Sequence, residues 1–141
     1  MIADLQFHHV GVACRDIDAE ATHFATLGYT TEGNAFEDRI QGVRGLFMVG
    51  QGPRMELLEP IDDAMRGGSS TNGVLAPWLS SGTKLYHLAY VAPDLRHAIG
   101  AMRGRRAKLV VQPVPAVAFD GREIAFVMLP NRLLVELISA R

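Results

Sequence analysis

Residues 9–17 read His-Val-Gly-Val-Ala-Cys-Arg-Asp-Ile, and residues 87–95 read His-Leu-Ala-Tyr-Val-Ala-Pro-Asp-Leu. Each stretch opens on His, passes through apolar positions, reaches Asp seven residues later and closes on an aliphatic side chain. Apolar residues at helical spacing follow both times: Ile17, Ala21, Phe24 and Leu27, then Leu95, Ala98, Ile99 and Met102. Asp16 and Asp94 stand where helix N-caps belong, and capping rather than chemistry is the role expected of them. Gly28 and Gly104 lie where the helices should stop. A strand leading into a capped helix is thus written twice, the mark of a duplicated supersecondary unit.

Strand-like runs come after each helix. In the first half these are Tyr29–Thr31, Gly45–Val49 and Arg54–Glu59, with a turn at Gly50-Gln51-Gly52-Pro53. In the second half they are Ala107–Gln112, Ala116–Phe119, Glu123–Leu129 and Leu133–Ile138, punctuated by Asp120-Gly121 and Pro130-Asn131. The pattern predicts an α+β chain in which each half reads strand–helix–strand–strand–strand. The first module spans residues 1–60 and the second 84–141. Residues 61–83 link them, carry many Gly and Ser, and hold a short helix near Val74–Leu79. Together the modules make one domain.

The last strands echo each other as well, Met55-Glu56-Leu57-Leu58 against Val135-Glu136-Leu137-Ile138. Glu56 follows His9 by 47 residues, and Glu136 follows His87 by 49. A carboxylate inside an apolar strand is costly to bury unless a cation, an Arg or several hydrogen bonds compensate it. His9 and His87 open strands made of Val, Leu and Ala. One divalent ion shared by His9, Glu56, His87 and Glu136 reconciles all four positions. Two nitrogens and two oxygens suit Zn, Ni, Co, Mn or Fe and leave coordination places for water or substrate. The other histidines are expected to be ordinary: His8 on the face opposite His9 and turned towards the helix, His23 and His97 in solvent.

Composition narrows the partners. The net charge is −1 and 21% of residues are charged, which offers nucleic acid or an anionic surface no purchase. The basic cluster Arg103, Arg105, Arg106, Lys108 is expected at the solvated end of a helix. Cys14 is the single cysteine, so no internal disulfide forms and no structural thiolate zinc site is available. No apolar run approaches the roughly 20 residues that cross a bilayer, and the N-terminus lacks the pattern of a secretion signal. The expected setting is cytoplasmic.

These residues resemble the vicinal oxygen chelate superfamily, which includes glyoxalase I, methylmalonyl-CoA epimerase, extradiol dioxygenases and bleomycin-resistance proteins. The resemblance is greatest to the epimerase-like members. It is carried by His8-His9-Val10-Gly11-Val12-Ala13, Gln41-Gly42-Val43-Arg44, Met55-Glu56-Leu57-Leu58-Glu59-Pro60, Ile124-Ala125-Phe126 and Leu134-Val135-Glu136-Leu137. The resemblance implies tandem βαβββ modules forming a curved mixed sheet around a metal-binding cleft. It implies that His9, Glu56, His87 and Glu136 are the ligands, and that the chain forms a homodimer. The chain departs from the epimerases at Arg39-Ile40, where those proteins carry a catalytic glutamate, at Tyr86 before the second His, and in the short loop Pro130-Asn131-Arg132.

The chemistry that follows is proton transfer at a carbon next to a carbonyl. The cation polarises the carbonyl, and Glu136 acts as base while Glu37, with Asp38 behind it, supplies the second acid/base; either could also be a solvated loop charge. The substrate is a small carbonyl-activated acid, with an acyl-CoA thioester as the leading class. A glyoxalase I-like lyase would use the same ligands. An extradiol dioxygenase needs an iron triad that a fourth protein ligand would crowd. A non-catalytic, drug-binding member of the same fold is the alternative of a different class. Trp78, Tyr86, Tyr90 and Phe119 are candidates to line a cleft, although core packing is the commoner role of such rings.

Overall fold

Both predicted helices form, and their caps explain where they begin. In the computed structural model, which describes residues 1–61 and 75–141, helix α1 (Ile17–Thr26) starts at Asp16. The Asp16 carboxylate accepts from the backbone N–H of Asp18 at 2.9 Å and of Ala19 at 3.3 Å. Helix α3 (Leu95–Arg103) starts at Asp94, which accepts from the His97 N–H at 3.0 Å. Gly28 ends α1 with φ +88°, a conformation a side chain would strain. Helix α3 ends at Gly104, its C-cap, as expected, but Gly104 keeps helical torsions and the left-handed turn falls at Arg106, φ +71°.

Residues 10–86 make one structural unit, and residues 1–9 with 87–141 make another. Strand β1 (Gln6–Ala13) contributes residues to both. In the 10–86 unit the order is β2 (Thr30–Asp38), β3 (Val43–Val49), β4 (Met55–Pro60), β1. Strand β1 runs parallel to β4, with Gly11 opposite Glu56, and the remaining pairs are antiparallel. Helix α1 packs Ile17, Ala21 and Phe24 against Val12, Cys14, Tyr29, Leu46, Met48 and Leu57. Leu57 is fully buried, a contribution of about 2 kcal/mol. A short helix, α2 (Ala76–Ser81), ends at Gly82 with φ +75°. It lies two residues later than the expected Val74–Leu79 helix; residues 62–74, most of the expected linker, fall outside the described residues.

Strand β2 is longer than its apolar pattern, which stopped at Thr31. Thr30 to Ala35 are exposed, and the strand is an edge held by backbone pairing to β3, with a register shift between Glu32 and Phe36. Phe36 lies opposite Gly45, and a Cβ at Gly45 would clash with the outer edge of the Phe36 ring.

The second unit repeats the plan as β5 (Leu85–Ala92), β8 (Leu134–Ser139), β7 (Glu123–Met128), β6 (Lys108–Pro115), with β5's residues from His87 onward in this unit. Strand β5 runs parallel to β8, with Ala89 opposite Glu136, and the other pairs are antiparallel. Leu95, Ala98, Ile99 and Met102 of α3 pack on Ala125, Val127, Val135 and Leu137, joined by Ile2 and Leu5 from the N-terminus. The run Ala116–Phe119, read as a strand, is instead a 3-10 turn at Val117–Phe119. Gly121 N–H bonds back to Ala116 C=O at 3.0 Å, closing the loop through Asp120 at φ +54°. The basic cluster at the end of α3 is exposed, as are His23 and His97. The fold class is α+β, two βαβββ modules, each a mixed sheet with one parallel pair.

Candidate metal centre

Strands β1, β5 and β8 each deliver one buried polar side chain to a common point. His9, His87 and Glu136 are 0%, 2% and 3% exposed. His9 Nε2 lies 3.0 Å from His87 Nε2 and 3.2 Å from Glu136 Oε1, and His87 Nε2 lies 3.4 Å from the same oxygen. These three atoms outline a triangle. Ligands held at roughly 2.1 Å from a divalent ion are spaced by about 3 Å in octahedral and about 3.4 Å in tetrahedral geometry. The triangle has the edge lengths of a coordination polyhedron, and the donor set fits a transition-metal ion.

Burial alone would drive the Glu136 pKa upward. The neighbouring His87 and His9 rings outweigh it and hold the pKa low. Glu136 thus sets a carboxylate oxygen inside an apolar strand beside two imidazoles, the kind of donor a cation takes.

Aromatic rings fix the imidazoles. Phe119 stacks on His9 with centroids 6.1 Å apart, and Phe126 meets His87 edge-on at 5.2 Å. Of the aromatic residues considered from the sequence, Phe119 is thus at the centre, whereas Tyr86 packs on Trp78 and Tyr90 on Phe7. The 3-10 turn is what carries Phe119 there, so the strand misread from sequence is the element that walls the site.

His8 also differs from expectation. Its Nδ1 lies 2.8 Å from His9 Nδ1, and its ring meets Phe119 edge-on at 5.4 Å. Strand alternation sets the direction of Cβ, but the side-chain torsions decide where a ring nitrogen ends up. The doubled His was visible in the sequence; the contact was not.

In the 10–86 unit, Glu56 is 4% exposed on β4. Glu37 lies at the end of β2 rather than in a loop, and pairs with Arg39 at 2.9 Å, the two side chains being 33% and 66% exposed. Asp38 is fully buried, not solvated: it accepts from the backbone N–H and the side-chain amide of Gln41, each at 3.0 Å. That brace shapes the β2–β3 turn, where Gly42 has φ +72°. Cys14 is buried, its thiol directed to Leu58 C=O at 3.4 Å.

Residues 8–126 match the family model of the glyoxalase/bleomycin resistance protein/dioxygenase superfamily. The chain belongs to that superfamily. No curated protein matches the sequence. Solved structures of similar fold include a hypothetical protein from Bacillus halodurans, 21% identical with a TM-score of 0.75, covering 98% of this chain and 96% of that one. Methylmalonyl-CoA epimerase from Mycobacterium tuberculosis is 22% identical with a TM-score of 0.73, covering 96% and 88%. The Streptomyces coelicolor methylmalonyl-CoA epimerase, solved with 2-nitronate-propionyl-CoA, is 23% identical with a TM-score of 0.72, covering 96% and 98%. At these identities the likeness is one of fold. The duplicated βαβββ plan of the superfamily is the one the sequence repeat predicts. Among the described residues, no helix is long and apolar enough to cross a membrane.

Proposed function

We propose that this chain is a metal-dependent enzyme that moves a proton at the carbon next to a carbonyl, on the epimerase pattern, with an acyl-CoA thioester as the substrate class. One observation carries the reading: two imidazole nitrogens and a carboxylate oxygen meet in a buried triangle of 3.0–3.4 Å edges. The fourth ligand in this reading is Glu56. Its support is register: Glu56 lies opposite Gly11, two residues beyond His9, as Glu136 lies opposite Ala89, two residues beyond His87. The ion is one of Zn, Ni, Co, Mn or Fe. When bound, it supplies Lewis acidity towards a substrate oxygen.

The remaining work belongs to the chain. His9 and His87 hold their Nε2 atoms inward, braced by Phe119 and Phe126, and exclude water. A carboxylate oxygen of Glu136 takes the substrate's C–H proton. Glu37 returns a proton to the opposite face. Paired with Arg39 it is a carboxylate, so it must first leave that partner and take up a proton from solvent, and Glu136 releases its proton to solvent to complete the cycle. The substrate class is supported by the epimerase of similar fold that was solved with an acyl-CoA analogue. A homodimer in the cytoplasm completes the proposal.

The test has two arms. Elemental analysis of purified protein should find one divalent ion per chain, and Glu56→Ala or Glu136→Gln should lower that content. Incubation with racemic or single-epimer 2-methyl acyl-CoA thioesters in D2O should place deuterium at C2, with Glu136→Gln abolishing the exchange. Metal without exchange, but with turnover of a thiol–aldehyde hemithioacetal, would replace the epimerase by a glyoxalase-type lyase. No metal after supplementation would remove the enzyme reading in favour of a binding protein.

A further inference from the structure

We propose that His8 is a positioning residue for the metal centre: its Nδ1 accepts a hydrogen bond from His9 Nδ1–H and so locks His9 in the tautomer whose Nε2 lone pair faces His87 and Glu136. The inference rests on the reading of His9 as a ligand. A neutral imidazole has one N–H and one lone pair. His9 Nε2 is the atom placed 3.0 Å and 3.2 Å from the other two donors, so the ligating lone pair belongs there. The single ring proton must then sit on Nδ1. The atom facing it at 2.8 Å is His8 Nδ1, which is an acceptor only if His8 carries its own proton on Nε2. Phe119 stacks on His9 and meets His8 edge-on, so one ring limits the rotation of both imidazoles. Ligating histidines generally donate their second N–H to such an outer partner, most often a carboxylate or carbonyl; here a neighbouring imidazole takes that place.

Removing an outer partner typically weakens metal binding by about 10–100-fold. His8→Phe keeps an aromatic ring against Phe119 but deletes the acceptor. His8→Asn puts an amide oxygen close to where the Nδ1 stood. Zinc affinity, measured by competition with a chromophoric chelator, should fall by about 10–100-fold in H8F and stay within about threefold of wild type in H8N. Nitrogen-15 NMR of zinc-loaded wild type should show His9 protonated on Nδ1 and His8 unprotonated on Nδ1, with the His9 N–H exchanging slowly. In H8F that proton should exchange quickly; in H8N it should remain protected. Equal zinc affinity in H8F and wild type would overturn the role of His8 while leaving the metal centre standing. So would an equal loss in H8F and H8N, or a proton on His8 Nδ1 in wild type, a result that needs no variant to fold. Wild type that takes up no zinc or other divalent ion would instead sink the metal reading itself, and this inference with it.

Discussion

Raising the pH above 9 should weaken the 10–86 unit through one buried thiol. Cys14 is 3% exposed, and burial, reinforced by the charges of Glu20 and Glu59, pushes its pKa from 9.0 up to about 12. The folded state therefore keeps a proton that the unfolded chain releases, so this group's contribution is intact below pH 9 and is lost between pH 9 and 12. Each pH unit in that window costs about 1.4 kcal/mol, or about 2 kcal/mol by pH 10.5. Urea denaturation of wild type and Cys14→Ala at pH 8.5 and 10.5 isolates the effect from other titrating groups. The stability difference between the two proteins should shift by about 2 kcal/mol in favour of the variant at the higher pH. The same pKa means that at pH 8 the native thiolate is roughly a thousandfold scarcer than in an unperturbed thiol. Disulfide reagents should then label Cys14 about a thousandfold more slowly in the native protein than in urea. Stability curves that stay parallel across this range, together with native labelling at the unfolded rate, would refute the argument from burial.

Three further outcomes follow from the packing. Gly45→Ala should cost about 1–3 kcal/mol in urea denaturation, because the new methyl displaces the Phe36 ring; Phe36→Leu in the same background should recover part of it. Asp94→Ala should cost about 1 kcal/mol, with Asp94→Asn largely sparing it, since the side chain's task is to accept the His97 N–H. Chelator treatment should lower the melting temperature and added zinc should restore it, an increment that grows with free metal in wild type and disappears in His87→Ala.

Much of the fold was legible because it rests on local chemistry repeated twice. Asp16 and Asp94 cap helices through bonds to residues two and three positions away, and such contacts depend on little beyond neighbouring sequence. The apolar faces of α1 and α3 were likewise readable from spacing. Strand β2 was not, because an exposed edge strand is held by backbone pairing to β3 and its polar Thr30 to Ala35 carry no alternation to detect. Ala116–Phe119 was misread because a short apolar run does not distinguish a strand from a turn; the bond from Gly121 N–H to Ala116 C=O decided it. Asp38 looked like a loop charge, and only the folded turn showed it buried on Gln41.

For the candidate centre the division is sharper. By themselves the residues established that two carboxylates stand in apolar strands at matched distances from two histidines, a statement about the expense of burying charge that needs no coordinates. What the tertiary structure decided is which atoms meet. That Nε2 of His9 turns inward, that its Nδ1 turns to His8, and that Phe119 lies against both follow from side-chain torsions and from packing between residues about a hundred positions apart. Composition and spacing limit what a side chain must find when it is buried, but its orientation is chosen by neighbours that only folding supplies.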